Sequence, residues 1–402
     1  MSNTGFSKLG LERMRDTLSV HVESNQMPGL AALVSRGDSV HIETIGALAF
    51  GDSAPVRRDS IFRIASISKL LTAVAAMILV EECRLRLDDP IDGWLPELSN
   101  RRVLKSLSSD IDDTVPAERP ITLRDLLTYR MGFGSIMAMP DTYPIQKPIR
   151  DLRIGGDGPM MPTDYPATDE WLRRLGSLPL IAQPGRQWMY HVSGDVLGVL
   201  ISRVTGQTFG AFLRERIFAP LDMRDTGFFV PPEKMDRLAA FYRRNPETNK
   251  LEFFDEPDNS AWSAEPAFES GGGGLVSTID DLFAFCRMML GKGRLGRNRI
   301  LSSAAVELMA SDQVPADQRS AVDMFFGDFS SWGLGFAVDI ARREIYHTPG
   351  RYGWNGGFGT TAYIDPVKQV IGILFTQRMM ESPEPPKVFT DFWTLTYQAI
   401  DG

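Results

Sequence analysis

The sequence predicts an α+β fold: strands near the two chain ends pair into one antiparallel sheet, and a mostly helical region is inserted between them. Three observations predict it. Strand-like segments cluster before residue 47 and after residue 332. Helical periodicity dominates the stretch between them. The chain has 402 residues, 43% hydrophobic and 23% charged, enough for one large core or two closely packed domains. The expected boundaries are 1–65 with 271–402 for the sheet domain and 66–270 for the helical domain, with a cleft between them.

Leu11 to Val22 reads as an amphipathic helix, broken at Met27-Pro28-Gly29. Leu30 to Arg36 has the composition of a buried strand, and Gly37-Asp38 turns it into Ser39 to Gly46, giving a β-hairpin. Ser68 to Val80 is an apolar helix. Thr122 is placed to cap a helix that begins at Leu123. From Gly132 to Pro166 periodicity fades and Gly, Pro, Met and Asp accumulate, as in lids and binding loops. Helical character returns at Asp169–Leu175, Val196–Val204 and Phe209–Phe218, and again at Leu282–Leu290 with Thr278 or Asp280 as its cap. Gly333–Ile340, Thr361–Asp365 and Val370–Thr376 read as strands, and Pro386 to Ile400 as a closing helix.

The net charge of −8 and the lack of a basic run with interleaved aromatics speak against nucleic acid as a partner. No apolar run has the length of a membrane span, and the first residues carry no signal-peptide pattern, so a cytoplasmic protein is expected. Cys83 and Cys286 both lie in apolar helical patterns and are expected as buried free thiols. His21, His41, His191 and His347 are scattered without metal-ligand spacing, so neither a metal nor another cofactor is expected.

Chemistry concentrates in three segments. In Ser66-Ile67-Ser68-Lys69, positions i and i+3 share a helix face, which brings the lysine amine to the serine hydroxyl. A serine is a weak nucleophile until a neighbouring base takes its proton, and a desolvated lysine can be that base. The helix start adds backbone N–H groups suited to an oxyanion. Tyr190 follows the Pro184-Gly185 turn and precedes a helix; beside a lysine it can carry protons between nucleophile and leaving group. Gly350 to Thr360 is a glycine-rich approach to a strand, which lets backbone come close to a ligand.

In order and surroundings these segments resemble the serine β-lactamase and penicillin-binding-protein superfamily, with its Ser-x-x-Lys and Lys-Thr-Gly signatures. The resemblance covers almost the whole chain and is nearest to class C enzymes and the family VIII carboxylesterases. It implies Ser66 as nucleophile, Lys69 as its paired lysine and Tyr190 as the tyrosine of the Tyr-x-Asn motif. Val192 stands where that motif has asparagine. Aligned on Gly356-Gly357-Phe358-Gly359, Arg351-Tyr352-Gly353 takes the place of Lys-Thr-Gly, with His347 a rival for the lysine position. The same alignment makes the Trp354 backbone N–H, with that of Ser66, the expected oxyanion donor.

The function implied is a carboxylesterase that acts on a small-molecule ester through an acyl-serine. A β-lactamase or D-alanyl carboxypeptidase, an acyltransferase and a non-catalytic binding domain are the alternatives. No Gly-x-Ser-x-Gly elbow is present, which weakens an α/β-hydrolase reading. Met137, Met139, Met160 and Met161, with Phe133 and Tyr143, are expected to supply an apolar cleft. The sequence does not set the oligomeric state.

Overall fold

The computed structural model describes residues 5–155, 161–319 and 323–400. At its centre lies a seven-stranded antiparallel sheet. Its strands are β1 (Gly29–Arg36), β2 (Ser39–Gly46), β3 (Ser330–Trp332), β4 (Ala337–Asp339), β5 (Tyr352–Gly356), β6 (Thr360–Asp365) and β7 (Val370–Thr376), in the spatial order β3-β4-β5-β6-β7-β1-β2. The first hairpin therefore docks on the last strand, with Ala32 opposite Leu374. The fold is β-lactamase-like α+β.

Period-two alternation in β1 decides which layer each residue joins. Ala31 and Leu33 enter the core shared with helix α2 (Ser68–Glu81), while Leu30, Ala32 and Val34 face the first and last helices of the chain. The first helix, α1 (Lys8–Glu23), starts where the Ser7 hydroxyl accepts the Gly10 N–H at 3.1 Å. Helix α3 (Leu123–Leu127) has a capping box in which Thr122 and Asp125 satisfy each other's backbone N–H groups. Helix α4 (Val192–Thr205) follows Tyr190, α5 (Ile279–Leu290) is capped by Thr278, and α6 (Lys387–Gln398) ends the fold. One continuous apolar cluster runs from the sheet through α2 and α4 into the helical region, so the two parts share a core.

Four sequence expectations change. Gly333–Ile340 is not one strand: Gly333 N–H bonds the Phe336 carbonyl and Gly335 adopts φ 89°, so the chain reverses between β3 and β4. Helix α4 begins four residues before the expected Val196. A hairpin of Phe241–Arg244 with Leu251–Asp255 was not expected. Cys83 is exposed, at φ 59° in the turn that ends α2, whereas Cys286 is buried as expected.

Candidate active site

The apolar α2 segment enters its helix through a single 3-10 turn, Ala65–Ile67, which carries Ser66. Lys69 lies one turn on, 1% exposed, with Nζ 3.0 Å from Ser66 Oγ. The amine also donates to the Gly272 carbonyl and lies 3.2 Å from His191 Nδ1. Burial lowers the Lys69 amine from its ordinary 10.5 to about 7, with the Asp195 charge pulling the other way.

Tyr190 sits against this pair, its ring face 4.7 Å from Lys69 Nζ. Trp354 Nε1 donates to Tyr190 Oη at 2.7 Å. Trp188, Tyr129 and Phe325 pack around the phenol ring. Burial pushes the Tyr190 phenol up to about 12, although its hydrogen bonds with Ser66 and Trp354 oppose the rise. At neutral pH the site therefore holds a protonated tyrosine beside a lysine that is part amine. Desolvation of the phenol outweighs the hydrogen bonds that favour its ionised form.

The glycine-rich segment meets the site differently from the alignment. Asp339 N–H bonds the Arg351 carbonyl, so in β5 the odd-numbered residues direct their backbone toward β4 and the even-numbered ones toward β6. Trp354 N–H is thus turned into the β6 ladder, and it is the indole that reaches the site. A Cβ on Gly356 would lie 2.5 Å from the Ile64 carbonyl and 3.4 Å from Ser66 N, so the end of β5 rests on the turn that carries Ser66. Gly357 follows and lines the cavity; among the described residues no backbone hydrogen bond uses its N–H.

Arg351 lines the cavity beside Ser66 and Trp354, with its charge already partnered. Its side chain is buried between the rings of Tyr363 and Trp393, at 4.0 and 4.3 Å, and pairs with Asp339 at 3.0 Å. His347 also lines the cavity, stacked on Phe329 and accepting the Glu344 N–H. Burial and the Arg351 and Arg343 charges hold the His347 imidazole down, at about 3. Gly353 is opposite Tyr363 inside the sheet, and Val192 is buried at the start of α4. Neither lines the cavity.

Ser66, Tyr190 and Trp354 open onto a cavity of about 1130 Å³. Met137, Met139, Tyr165 and Phe268 line one wall, and Met324 and Phe325 another. Of the other side chains expected there, Phe133 is in the core and Met161 packs against the cluster around Trp262. Tyr143 does not line the cavity, and Met160 lies outside the described residues. Two groups beside Lys69 were missed, His191 and Asp195. Their four-residue spacing at a helix start was the available signal; scattered histidines read singly did not reveal it.

A serine hydroxyl held against a desolvated lysine amine can support acyl transfer, and the chain belongs to the beta-lactamase family, whose profile matches residues 14–390. An uncharacterized protein of Mycobacterium tuberculosis is 34% identical over 363 residues, 88% of this chain and 87% of that protein. Esterase EstB of Burkholderia gladioli is 29% identical, over 91% of this chain and 90% of its own. Among solved structures, EstCE1, described as a hydrolase with promiscuous acyltransferase activity, superposes with a TM-score of 0.78 at 24% identity, covering 97% of this chain and 99% of its own. No single helix among the described residues is long and apolar enough to cross a membrane.

Proposed function

We propose that this protein is a serine carboxylesterase that cleaves small-molecule esters of short-to-medium acyl chains through an acyl-serine intermediate. The observation that carries the reading is the desolvated Lys69 amine 3.0 Å from Ser66 Oγ, with Ser66 opening onto a cavity one wall of which is methionine and aromatic. Lys69 takes the Ser66 proton as Oγ attacks the ester carbonyl. The N–H groups of Ser66 and Gly357 hold the oxyanion. The Tyr190 phenol gives its proton to the departing alkoxide, leaving a phenolate beside the new Lys69 ammonium. In the second half, water attacks the acyl-serine, the phenolate takes its proton, and Lys69 returns a proton to Ser66 Oγ.

Two features speak for esters over β-lactams. Val192 replaces an amide-binding asparagine with a buried aliphatic group, and Arg351 has its charge met by Asp339. The size of the cavity supports a second reading, acyl transfer: about 1130 Å³ leaves room for an acceptor alcohol beside a short acyl group. EstB and EstCE1 are relatives of the kind both readings expect. The test is a panel of p-nitrophenyl esters of increasing acyl length, with and without an added alcohol, followed by mass spectrometry of the acylated peptide. Acylation of Ser66 with turnover highest for short-to-medium acyl chains supports the reading. Acylation elsewhere, or none, overturns it.

A further inference from the structure

His191 touches Lys69 but has no role in the acyl-transfer steps above. It occupies φ 81°, ψ −66°, a backbone conformation strained for a non-glycine residue, of the kind that persists at functional sites. Its ring stands between two partners: Nδ1 is 3.2 Å from Lys69 Nζ, and Nε2 is 3.4 Å from Asp195 Oδ2. Asp195 is itself fully buried and held at Oδ1 by the Ser270 hydroxyl at 2.6 Å and the Gly272 N–H at 2.9 Å. Its other oxygen, Oδ2, has no hydrogen-bond partner among the described residues, and the His191 Nε2 lies 3.4 Å from it. Residue 272 thus serves both ends: its N–H holds Asp195 and its carbonyl accepts from Lys69.

Counting hydrogens on the amine gives the consequence. A neutral lysine has two N–H bonds and one lone pair, and Lys69 Nζ has three neighbours. Gly272 carbonyl can only accept. If His191 Nδ1 also accepts, both N–H bonds are used and the lone pair is left facing Ser66 Oγ–H. Nδ1 accepts only in the tautomer with its proton on Nε2, which a carboxylate at that nitrogen selects. We propose that the His191–Asp195 pair is a positioning element that aims the Lys69 lone pair at Ser66. Once the serine proton has moved, the ammonium has three N–H bonds and the same three neighbours, so the acceptor set fits both states.

The titratable groups facing this cluster support the assignment of charges. Burial and the Lys69 charge keep His191 below its ordinary value, so it is neutral. Burial works against ionisation of Asp195, but contacts with His191, Ser270 and Gly272 prevail and it is the anion. The Tyr129 and Tyr165 phenols near Asp195 are buried and pushed upward, hence neutral, as is Tyr190 above Lys69.

The inference rests on the esterase reading, and its test uses the full chain with p-nitrophenyl butyrate. His191→Ala removes the acceptor. It is expected to lower kcat by about ten- to a hundredfold, the scale of one hydrogen bond to a charged group, to leave KM nearly unchanged, and to move the acidic limb of the pH profile to lower pH because the ammonium loses support. His191→Asn, whose amide oxygen can overlay Nδ1 and which tolerates positive φ, should recover most of the rate. Asp195→Asn offers an N–H to Nε2, drives the proton to Nδ1 and should match His191→Ala. Thermal melting of each variant reports folding. A His191→Ala profile superimposable on wild type, or folded His191→Asn no better than the alanine variant, overturns the positioning role; if His191→Ala does not fold, Asp195→Asn at wild-type rates does the same. Ser66→Ala at wild-type rates instead overturns the esterase reading beneath it.

Discussion

Trp354 Nε1 donates a 2.7 Å hydrogen bond to Tyr190 Oη, so the indole, and not the Trp354 backbone N–H, touches the phenol. This donor favours phenolate over phenol, so in the proposed mechanism it acts at the moment Tyr190 gives up its proton. Trp354→Phe keeps the aromatic packing and removes the donor. We expect kcat to fall about ten- to a hundredfold on an alkyl ester such as methyl butyrate, the range for a hydrogen bond to a charged group. The fall should be much smaller on p-nitrophenyl butyrate, whose leaving group needs no proton. Equal losses on the two esters would refute the role of Tyr190 as proton donor.

Lys69 and Tyr190 act in one proton circuit in the proposed mechanism. Lys69→Ala and Tyr190→Phe are each expected to cost about 10²–10⁴ in kcat. The double variant should fall little below the worse single one, since residues that act as a unit are strongly non-additive. Single-turnover kinetics on all three variants measures this, and a multiplicative loss contradicts a shared circuit.

The acidic limb of kcat/KM should lie near pH 7, where burial places the Lys69 amine, because only the neutral form accepts the serine proton. A pH series on wild type with p-nitrophenyl butyrate reads it directly. A limb near pH 5 assigns the base to another group.

The same burial has a stability cost with a defined pH dependence. Lys69 binds its proton more tightly when unfolded, at 10.5, than when folded, at about 7. Between those values the unfolded state holds more protons, so this group's contribution to stability rises with pH, and below about 7 its full penalty is present. Each pKa unit corresponds to about 1.4 kcal/mol. Lys69→Met should therefore melt above wild type at pH 6, with the gap closing toward pH 10. Melting curves at pH 6, 8 and 10 check this; a gap that does not change with pH excludes a strained amine at position 69.

Substrate choice is tested by comparing p-nitrophenyl butyrate with nitrocefin. With Val192 buried and Arg351 neutralised by Asp339, kcat/KM for the ester is expected to exceed that for the cephalosporin by at least about a hundredfold, the worth of two lost polar contacts. Comparable values favour a β-lactamase.

The relations that the sequence by itself determined are those made by neighbours along the chain. Ser66 and Lys69 meet because helical periodicity puts i and i+3 on one face, and the 3-10 turn at Ala65–Ile67 changes that only slightly. The Gly37-Asp38 hairpin and the Thr122 and Thr278 caps are equally local. That the terminal strands pair into one antiparallel sheet was legible too, from their composition and turn signals, but their order in it was not. What only the tertiary structure decided depends on groups distant in sequence. The β4–β5 register, set across a turn of twelve residues, determines that Trp354 presents its indole and that Arg351 finds Asp339 before any substrate. The basicity of Lys69 comes from the Gly272 loop and Tyr190 covering it, and Cys83 is exposed because the end of α2 happens to meet solvent. Periodicity and capping act over a few residues and leave a pattern; desolvation and charge pairing are set by which surfaces pack together, and those leave none.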